Sequence, residues 1–325
     1  MSAVPSMSAG GSPTGPVACP LTVGLVGAGR VGAVLGAALA AAGHRVVAAS
    51  GVSDASRDRI ARLLPHTATL PADDVARAAT DLLIVAVPDD ALAGVVAGLA
   101  GTGALGNTRI VAHTSGAHGL AILRPATLAG ARPLALHPAM TFTGQTDDLA
   151  RLPGIAYGLT APADLRAFAA RLVTDLGGIP EWVAEGDRPL YHAALAHGAN
   201  HLVTLVNEAT DLLVAAGVRR TGAVLGPLLH AALDNALRSG DAALTGPVSR
   251  GDAGTVARHL DRMGAAAPAS VPAYLALARR TADRAIAAGR LRPRDAELLL
   301  DVLASAADDR AAVRERELAT GGTTT

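Results

Sequence analysis

The chain has 325 residues, of which half are apolar but only 2% aromatic, and its 28 basic and 28 acidic side chains cancel to zero formal charge. With no basic excess and few rings on which bases could stack, a nucleic-acid partner is disfavoured. The length exceeds the roughly 250–300 residues at which a single core stops growing, so two domains are expected.

Every basic residue is arginine, which removes lysine as a general acid or Schiff-base nucleophile. The single cysteine, Cys19, excludes a disulfide framework, a thiolate metal cluster and a CxxC redox pair, and fits a reducing, cytoplasmic compartment. Residues 1–18, rich in Ser, Gly and Pro, lack the charged start and unbroken apolar stretch of a signal peptide and read as a disordered tail. Apolar runs such as 81–87 fall far short of the about 20 residues that a membrane helix needs, so no membrane span is expected.

From residue 21 short apolar strands alternate with helical stretches, the pattern of a parallel sheet wound by crossover helices. Strand one is expected at 21–26 and a helix at about 30–42, with Gly43 placed for a left-handed C-terminal cap. Strand two follows at 44–49, then a helix at about 54–64 with Ser53 as N-cap. Further strands are expected at 81–87, 108–112, 134–136 and 155–159. After about residue 186 the period turns helical. One helix spans 190–216, about 40 Å long at roughly 1.5 Å per residue, and others fall near 221–238, 252–262, 270–288 and 293–317. The expected layout is a Rossmann domain at 19–185, an all-α domain at 186–318 and a disordered tail at 319–325.

Gly27-Ala28-Gly29-Arg30-Val31-Gly32 follows the first strand and opens the first helix. In that context Gly27 permits the tight turn, Gly29 lets the backbone approach a pyrophosphate, and Gly32 lets helix and strand pack closely. The phosphates would rest on the helix N-terminus, where Arg30 and Val31 begin the first turn. An acid at the end of strand two would hold the ribose hydroxyl of NAD. Here Ser50, Ser53 and Arg57 stand there, with Arg30 in the glycine loop and no acid before Asp54, which favours NADP(H).

Ligands of open α/β sheets bind beyond the carboxyl ends of the strands. Those ends carry Val87 and Pro88, then His113-Thr114-Ser115-Gly116, then His137-Pro138. Val87, Pro88 and His113 are assigned to the cofactor path. On the long helix His192 and Asn200 lie about two turns apart and can border one cleft. His197 and His201 have zinc-ligand spacing, but no HExxH glutamate lies between them and no third ligand is in sight, so no metal site is expected. A histidine suits acid and base work because its ordinary pKa, about 6.5, lets it give and regain a proton at neutral pH. His192 and His137 are rivals for that role, with Ser115 and Asn200 orienting the substrate.

The glycine loop, the segment 113–116, His137-Pro138 with Phe142, Tyr191-His192-Ala193-Ala194 with Asn200, and the loop 244–252 together resemble a bacterial family. It pairs an N-terminal Rossmann-like domain with a helical C-terminal domain of unknown function, and the resemblance runs over about residues 20–318. More distantly the chain is similar to NADP-linked dehydrogenases with a 6-phosphogluconate-dehydrogenase-like helical domain, among them pyrroline-carboxylate, ketopantoate and prephenate enzymes. The resemblance implies hydride transfer to a small carbonyl or imine compound. A suspected link of family members to pantothenate synthesis makes a ketopantoate-like 2-oxo acid the substrate expectation. Some relatives of the Rossmann domain use a deazaflavin alongside NADP.

The chain departs from the hydroxyacid and ketopantoate enzymes, which place a lysine four residues before an asparagine on the long helix. Ala196 precedes Asn200 by four and Val203 precedes Asn207, so that mechanism does not carry over. The His-Pro segment resembles prephenate-type dehydrogenases, in which a histidine meets the substrate hydroxyl. The competing expectation is a non-catalytic NADP(H)-binding or sensing protein, or a prephenate-type dehydrogenase. Apolar surface on the long helix and on 270–288 and 293–317 predicts a homodimer through the helical half.

Overall fold

The computed structural model describes residues 19–321. The chain divides into two compact units between Gly198 and Ala199, rather than at 185/186. The difference arises because Arg188, at the start of helix α8 (Arg188–Leu195), is fully buried and hydrogen-bonded to strand residues of the first unit. The expected tails at 1–18 and 322–325 lie outside the described residues, while 319–321 belong to the last helix.

The first unit is built on an eight-stranded sheet: β1 (Thr22–Val26), β2 (Arg45–Ser50), β3 (Ala68–Thr69), β4 (Leu82–Val85), β5 (Ile110–His113), β6 (Arg132–Pro138), β7 (Ala156–Thr160) and β8 (Ile179–Trp182). The order is β3-β2-β1-β4-β5-β6-β7-β8, so the chain reverses direction across the sheet between β1 and β4. That reversal is the switch point at which doubly wound sheets bind ligands. The expectation of a parallel sheet holds except at one junction, where β7 runs antiparallel to β6. Their link carries only the five-residue helix α6 (Asp147–Arg151), and an antiparallel neighbour needs no crossover helix.

Both faces of the sheet are covered, which explains the unbroken apolar run of β4. Leu82 and Ile84 pack with Leu35 and Leu39 of α1 (Arg30–Ala41), Ile60 of α2 (Asp54–Leu63) and Leu172 of α7 (Arg166–Asp175). Leu83 and Val85 turn the other way, onto Val75 of α3 (Ala72–Ala78) and Leu92, Val96 and Leu99 of α4 (Asp89–Gly101). Gly43 stops α1 at a φ of +100°, as a C-terminal glycine should. Ser53 caps α2 by accepting the Ser56 amide at 3.2 Å.

In the second unit the helices are α9 (His201–Ala215), α10 (Thr221–Ser239), α11 (Ala253–Ala266), α12 (Val271–Ala287) and α13 (Pro293–Gly321). The single helix expected over 190–216 is interrupted by a π-helical turn, Ala196–Asn200, between α8 and α9. Val256 and Leu260 of α11, Ala278, Ala282 and Ala285 of α12, and Leu299 and Leu303 of α13 form the core of this unit. The small alanine side chains let α12 lie close to its neighbours. No helix among the described residues is long and apolar enough to cross a membrane.

Candidate active site

The site starts from the glycine loop. Gly27 has a φ of +90°, and a Cβ there would lie 2.6 Å from the Ala86 carbonyl oxygen. A Cβ on Gly32 would lie 2.3 Å from the Gly27 carbonyl oxygen, whereas Gly29 faces open space. The turn is therefore closed behind and open in front. Gly29 opens α1 with no side-chain cap and no acid in the first turn, leaving the helix N-terminus free for an anion. These features fit a dinucleotide pyrophosphate.

The residues at the end of β2 behave differently from the sequence expectation. Ser50 is buried and its hydroxyl accepts the Gly27 amide at 3.2 Å, so it braces the loop from behind. Ser53 is used as the α2 cap. Arg57 is tied to Asp54 and to the carbonyls of Val52 and Gly51. The arginine that reaches the cleft beside Arg30 is Arg59, two residues further along α2, which sequence reasoning missed. Arg30 and Arg59 both lie against Gly144: a Cβ on Gly144 would be 2.7 Å from Arg59 Nε and 3.0 Å from Arg30 Cγ. The loop carrying Gly144 is closed by the buried carboxylate of Asp148, which accepts the Thr143 and Gly144 amides at 2.8 and 2.7 Å. Neither Arg30 nor Arg59 has an acidic partner among the described residues.

At the end of β5 His113 is fully buried. Its Nδ1 accepts the Ser115 amide at 3.1 Å, so its Nε2–H donates to the Gly119 carbonyl at 2.8 Å. Both ring nitrogens are thus spent on the loop, so the polar atoms of this side chain brace the site. Burial pushes its pKa down to about 4, with the Arg188 charge adding to the push. The loop so fixed presents Thr114, Ser115 and Gly116 to the cleft. The Ser115 hydroxyl accepts the Ala117 and His118 amides, both at 3.2 Å, which leaves its own proton for donation.

His137 and His192 approach one another across Gly116. Their ring centroids are 6.3 Å apart, and a Cβ on Gly116 would lie 2.8 Å from His192 Cδ2 and 3.0 Å from His137 Nε2. Only glycine admits both rings. His137 Nδ1 is 2.9 Å from the Tyr191 hydroxyl. Burial pushes the His137 pKa down to about 4; Arg188 and His192 add to this and Asp89 opposes it. His192 is brought there by Glu185, whose carboxylate accepts the Leu120 and Ala121 amides at 2.7 and 3.0 Å, tying the start of α8 to the loop after β5.

Beneath these rings lies Arg188, a buried cation with no carboxylate on it. Its guanidinium donates to Thr160 Oγ1 at 2.8 Å and to the carbonyls of Gly158, Ala135 and Ser115 at 3.0, 3.3 and 3.4 Å. It therefore pins β6, β7 and the loop after β5 together. Sequence reasoning missed Arg188, because nothing local separates it from a solvated arginine.

Gly29, Arg30, Val31, Arg59, Val87, Pro88, Asp89, Ser115, His137 and His192 all line one cleft of about 450 Å³ at the carboxyl ends of the strands. Of the predicted residues, Asn200 stands in the second unit, at the end of the π-helical turn. A larger cavity, about 510 Å³, lies at the opposite ends of the strands, around Leu21, His44, Asp81 and Arg109. Its arginines 109, 132 and 171 are each paired with an aspartate, so it offers no free cation to a ligand.

The glycine loop, the switch point and the helices of the second unit define a Rossmann-like domain followed by a helical region. Residues 10–138 match the Rossmann-like domain family, and residues 155–281 match a domain of unknown function, DUF2520. The chain thus pairs the two domains that its motifs suggested. No curated protein matches it in sequence. Among solved structures, a Bacteroides fragilis protein provisionally described as an NADP oxidoreductase is 21% identical at a TM-score of 0.67, covering 81% of this chain and 98% of its own. A pyrroline-5-carboxylate reductase from Streptococcus pyogenes is 19% identical at a TM-score of 0.56, covering 82% and 98%. An imine reductase from Myxococcus stipitatus, solved with NAD+, is 17% identical at a TM-score of 0.55, covering 82% and 94%. At these identities the likeness is one of fold.

Proposed function

We propose that the chain is an NADP(H)-dependent reductase that acts on a small carbonyl or imine compound. The observation that carries this reading is the convergence of the open glycine loop, Ser115, His137 and His192 on one cleft at the switch point. The chemistry that a reduced nicotinamide supplies when bound is hydride donation. A carbonyl or imine that takes up a hydride must also take up one proton, and His192 is the side chain assigned to deliver it and regain it from solvent. Ser115 donates a hydrogen bond that orients the substrate. NADP(H) is favoured over NAD(H) because no acid stands at the end of β2 and because Arg30 and Arg59 lack acidic partners.

Solved structures of similar fold include pyrroline-carboxylate and imine reductases. Cyclic imines therefore stand beside ketopantoate-like 2-oxo acids as substrate classes. Oxidation of NADPH by the purified protein across a panel of both classes tests the reading. Steady turnover with any member supports it, and stoichiometric cofactor binding without turnover throughout the panel favours a sensing protein instead.

We further propose that a second copy of the chain covers α9 and α10. Neither helix has a buried residue, and Leu202, Val203, Leu205, Val214, Val224, Leu228, Leu233 and Leu237 stand exposed on them. Patches of this kind mark interaction surfaces, and zero net charge offers no repulsion between copies. Light scattering at micromolar concentration is expected to give a dimer, converted to monomer by Leu228→Asp with Leu237→Asp. A wild-type monomer contradicts the proposal.

A further inference from the structure

Tyr191 and His137 form a pair that the reductase reading leaves unused. The phenol lies over Gly158, where a Cβ would come within 2.6 Å of its oxygen, so the hydroxyl reaches the imidazole only because position 158 is glycine. Its oxygen is 2.9 Å from His137 Nδ1. The hydroxyl has one proton to place, and His137 Nδ1 is the acceptor within hydrogen-bond distance among the described residues. Burial raises the Tyr191 pKa, so the phenol keeps that proton at neutral pH. The other ring nitrogen, Nε2, has no protein partner, is not sealed from solvent, and lies at Gly116 in the wall of the cleft.

We propose that Tyr191 is a positioning residue: its hydroxyl donates to Nδ1 of His137 and holds that ring as a neutral imidazole whose Nε2–H donates into the cleft, to the oxygen or nitrogen of the substrate double bond. The two histidines then divide the work. His137 polarises the bond as a fixed neutral donor, a role that imidazole can perform without being charged, while His192 supplies the proton. The charged and titratable groups that face His137 are Arg188, His192, Asp89 and His113, besides Tyr191. Of these, Arg188 disfavours a second proton on the ring and Asp89 favours one. The donor role rests on the reductase reading. The tautomer does not, and the two are tested apart.

Long-range proton–nitrogen spectra of the full chain labelled with nitrogen-15 histidine, at pH 7.5, report which nitrogen of each ring is protonated. The His137 signals are identified by their loss in His137→Gln. The expected result is a proton on Nε2 and an unprotonated Nδ1 that accepts a hydrogen bond. Tyr191→Phe, which keeps the ring and its packing, should shift the Nδ1 signal and raise the pKa of His137. Gly158→Ala, which displaces the phenol but keeps its hydroxyl, should do the same. A proton on Nδ1, or an imidazolium at this pH, overturns the proposal whatever the activity. In turnover, Tyr191→Phe should lower kcat about tenfold, as for one lost hydrogen bond, with NADPH affinity unchanged. Unchanged kcat in that variant removes the donor role while leaving the reductase reading intact. Absence of wild-type turnover on every substrate removes the reductase reading and, with it, the donor role, while the tautomer stands on the spectra.

Discussion

In the first unit, alternate residues of β4 disappear into opposite faces of a sheet covered on both sides. In the second, the 15 residues of α9 and the 19 of α10 include none that is buried, although α11, α12 and α13 share a core of their own. The first unit also buries polar groups. Ser50, His113, Ser115, Thr160 and Arg188 are all buried at or near the carboxyl ends of the strands. Burying a polar group is costly unless it is hydrogen-bonded; here Ser50, His113, Ser115 and Arg188 are bonded to the loops that shape the cleft, and Thr160 to Arg188. The contrast teaches that the two units place their exceptions differently: the first hides polar side chains around the cleft, and the second leaves apolar ones exposed, the surface proposed above for a second copy.

The largest effect should come from breaking the polar scaffold under the cleft. Arg188→Met removes the donor to Thr160, Gly158, Ala135 and Ser115, and each group left unsatisfied costs about 1–3 kcal/mol, so a loss of about 3 kcal/mol or more is expected in urea unfolding. Arg238→Ala in the second unit breaks an exposed pair with Asp234 and should cost less than about 1 kcal/mol. Equal losses at the two positions would erase the distinction.

Acid should act on the same scaffold. His113 and His137 both have pKa values pushed down to about 4 by burial, against about 6.5 in an unfolded chain. Between these values the unfolded state binds more protons, so stability is full above about pH 6.5 and falls as the pH drops toward about 4. Thermal unfolding across that window should show Tm declining with acid, and a flatter decline in His113→Asn after its own lower starting point. A Tm that rises from pH 6.5 to 5 would contradict the buried, neutral state of both rings.

In the cleft the expected losses are kinetic. His192→Asn should lower kcat about a hundredfold, within the range for a positioned general acid, with NADPH affinity nearly unchanged. His137→Asn should lower kcat by less than His192→Asn does, since it removes a hydrogen bond to the substrate and not the transferred proton. The reverse ranking in steady-state kinetics would exchange their roles.

The legible part of this protein was its local chemistry. Gly27, Gly29 and Gly32, the Gly43 stop, the Ser53 cap and the later helices all follow from spacing and residue type. The two-residue β3 and the exposed β8 carry too little apolar signal to be read as strands, and the antiparallel turn of β7 depends on a link rather than on a strand. The π-helical turn at Ala196–Asn200 has no marker in the helical pattern. Arg59 and Arg188 stayed hidden because arginine in a helix reads as a solvated charge; what sets Arg188 apart is strand carbonyls far away in sequence. Ser50 and His113 stand at the strand ends, and their hydrogen bonds to the Gly27 and Ser115 amides, which brace the loops of the cleft, could not be read from residue type and position.

On the proposed reading the cleft would hold NADP(H) on the glycine loop, with Arg30 and Arg59 as the cations available to its 2′-phosphate. Titration of NADPH and NADH by nicotinamide fluorescence tests it most directly, in the wild type and in Arg59→Ala and Arg57→Ala. A charge-assisted contact contributes about 1.5–3 kcal/mol, so NADPH should bind roughly tenfold to a hundredfold more tightly than NADH. Arg59→Ala should remove most of that preference, and Arg57→Ala, whose guanidinium is already held by Asp54 and the Val52 carbonyl, should leave it. Binding of neither dinucleotide, or a preference for NADH, would contradict the account.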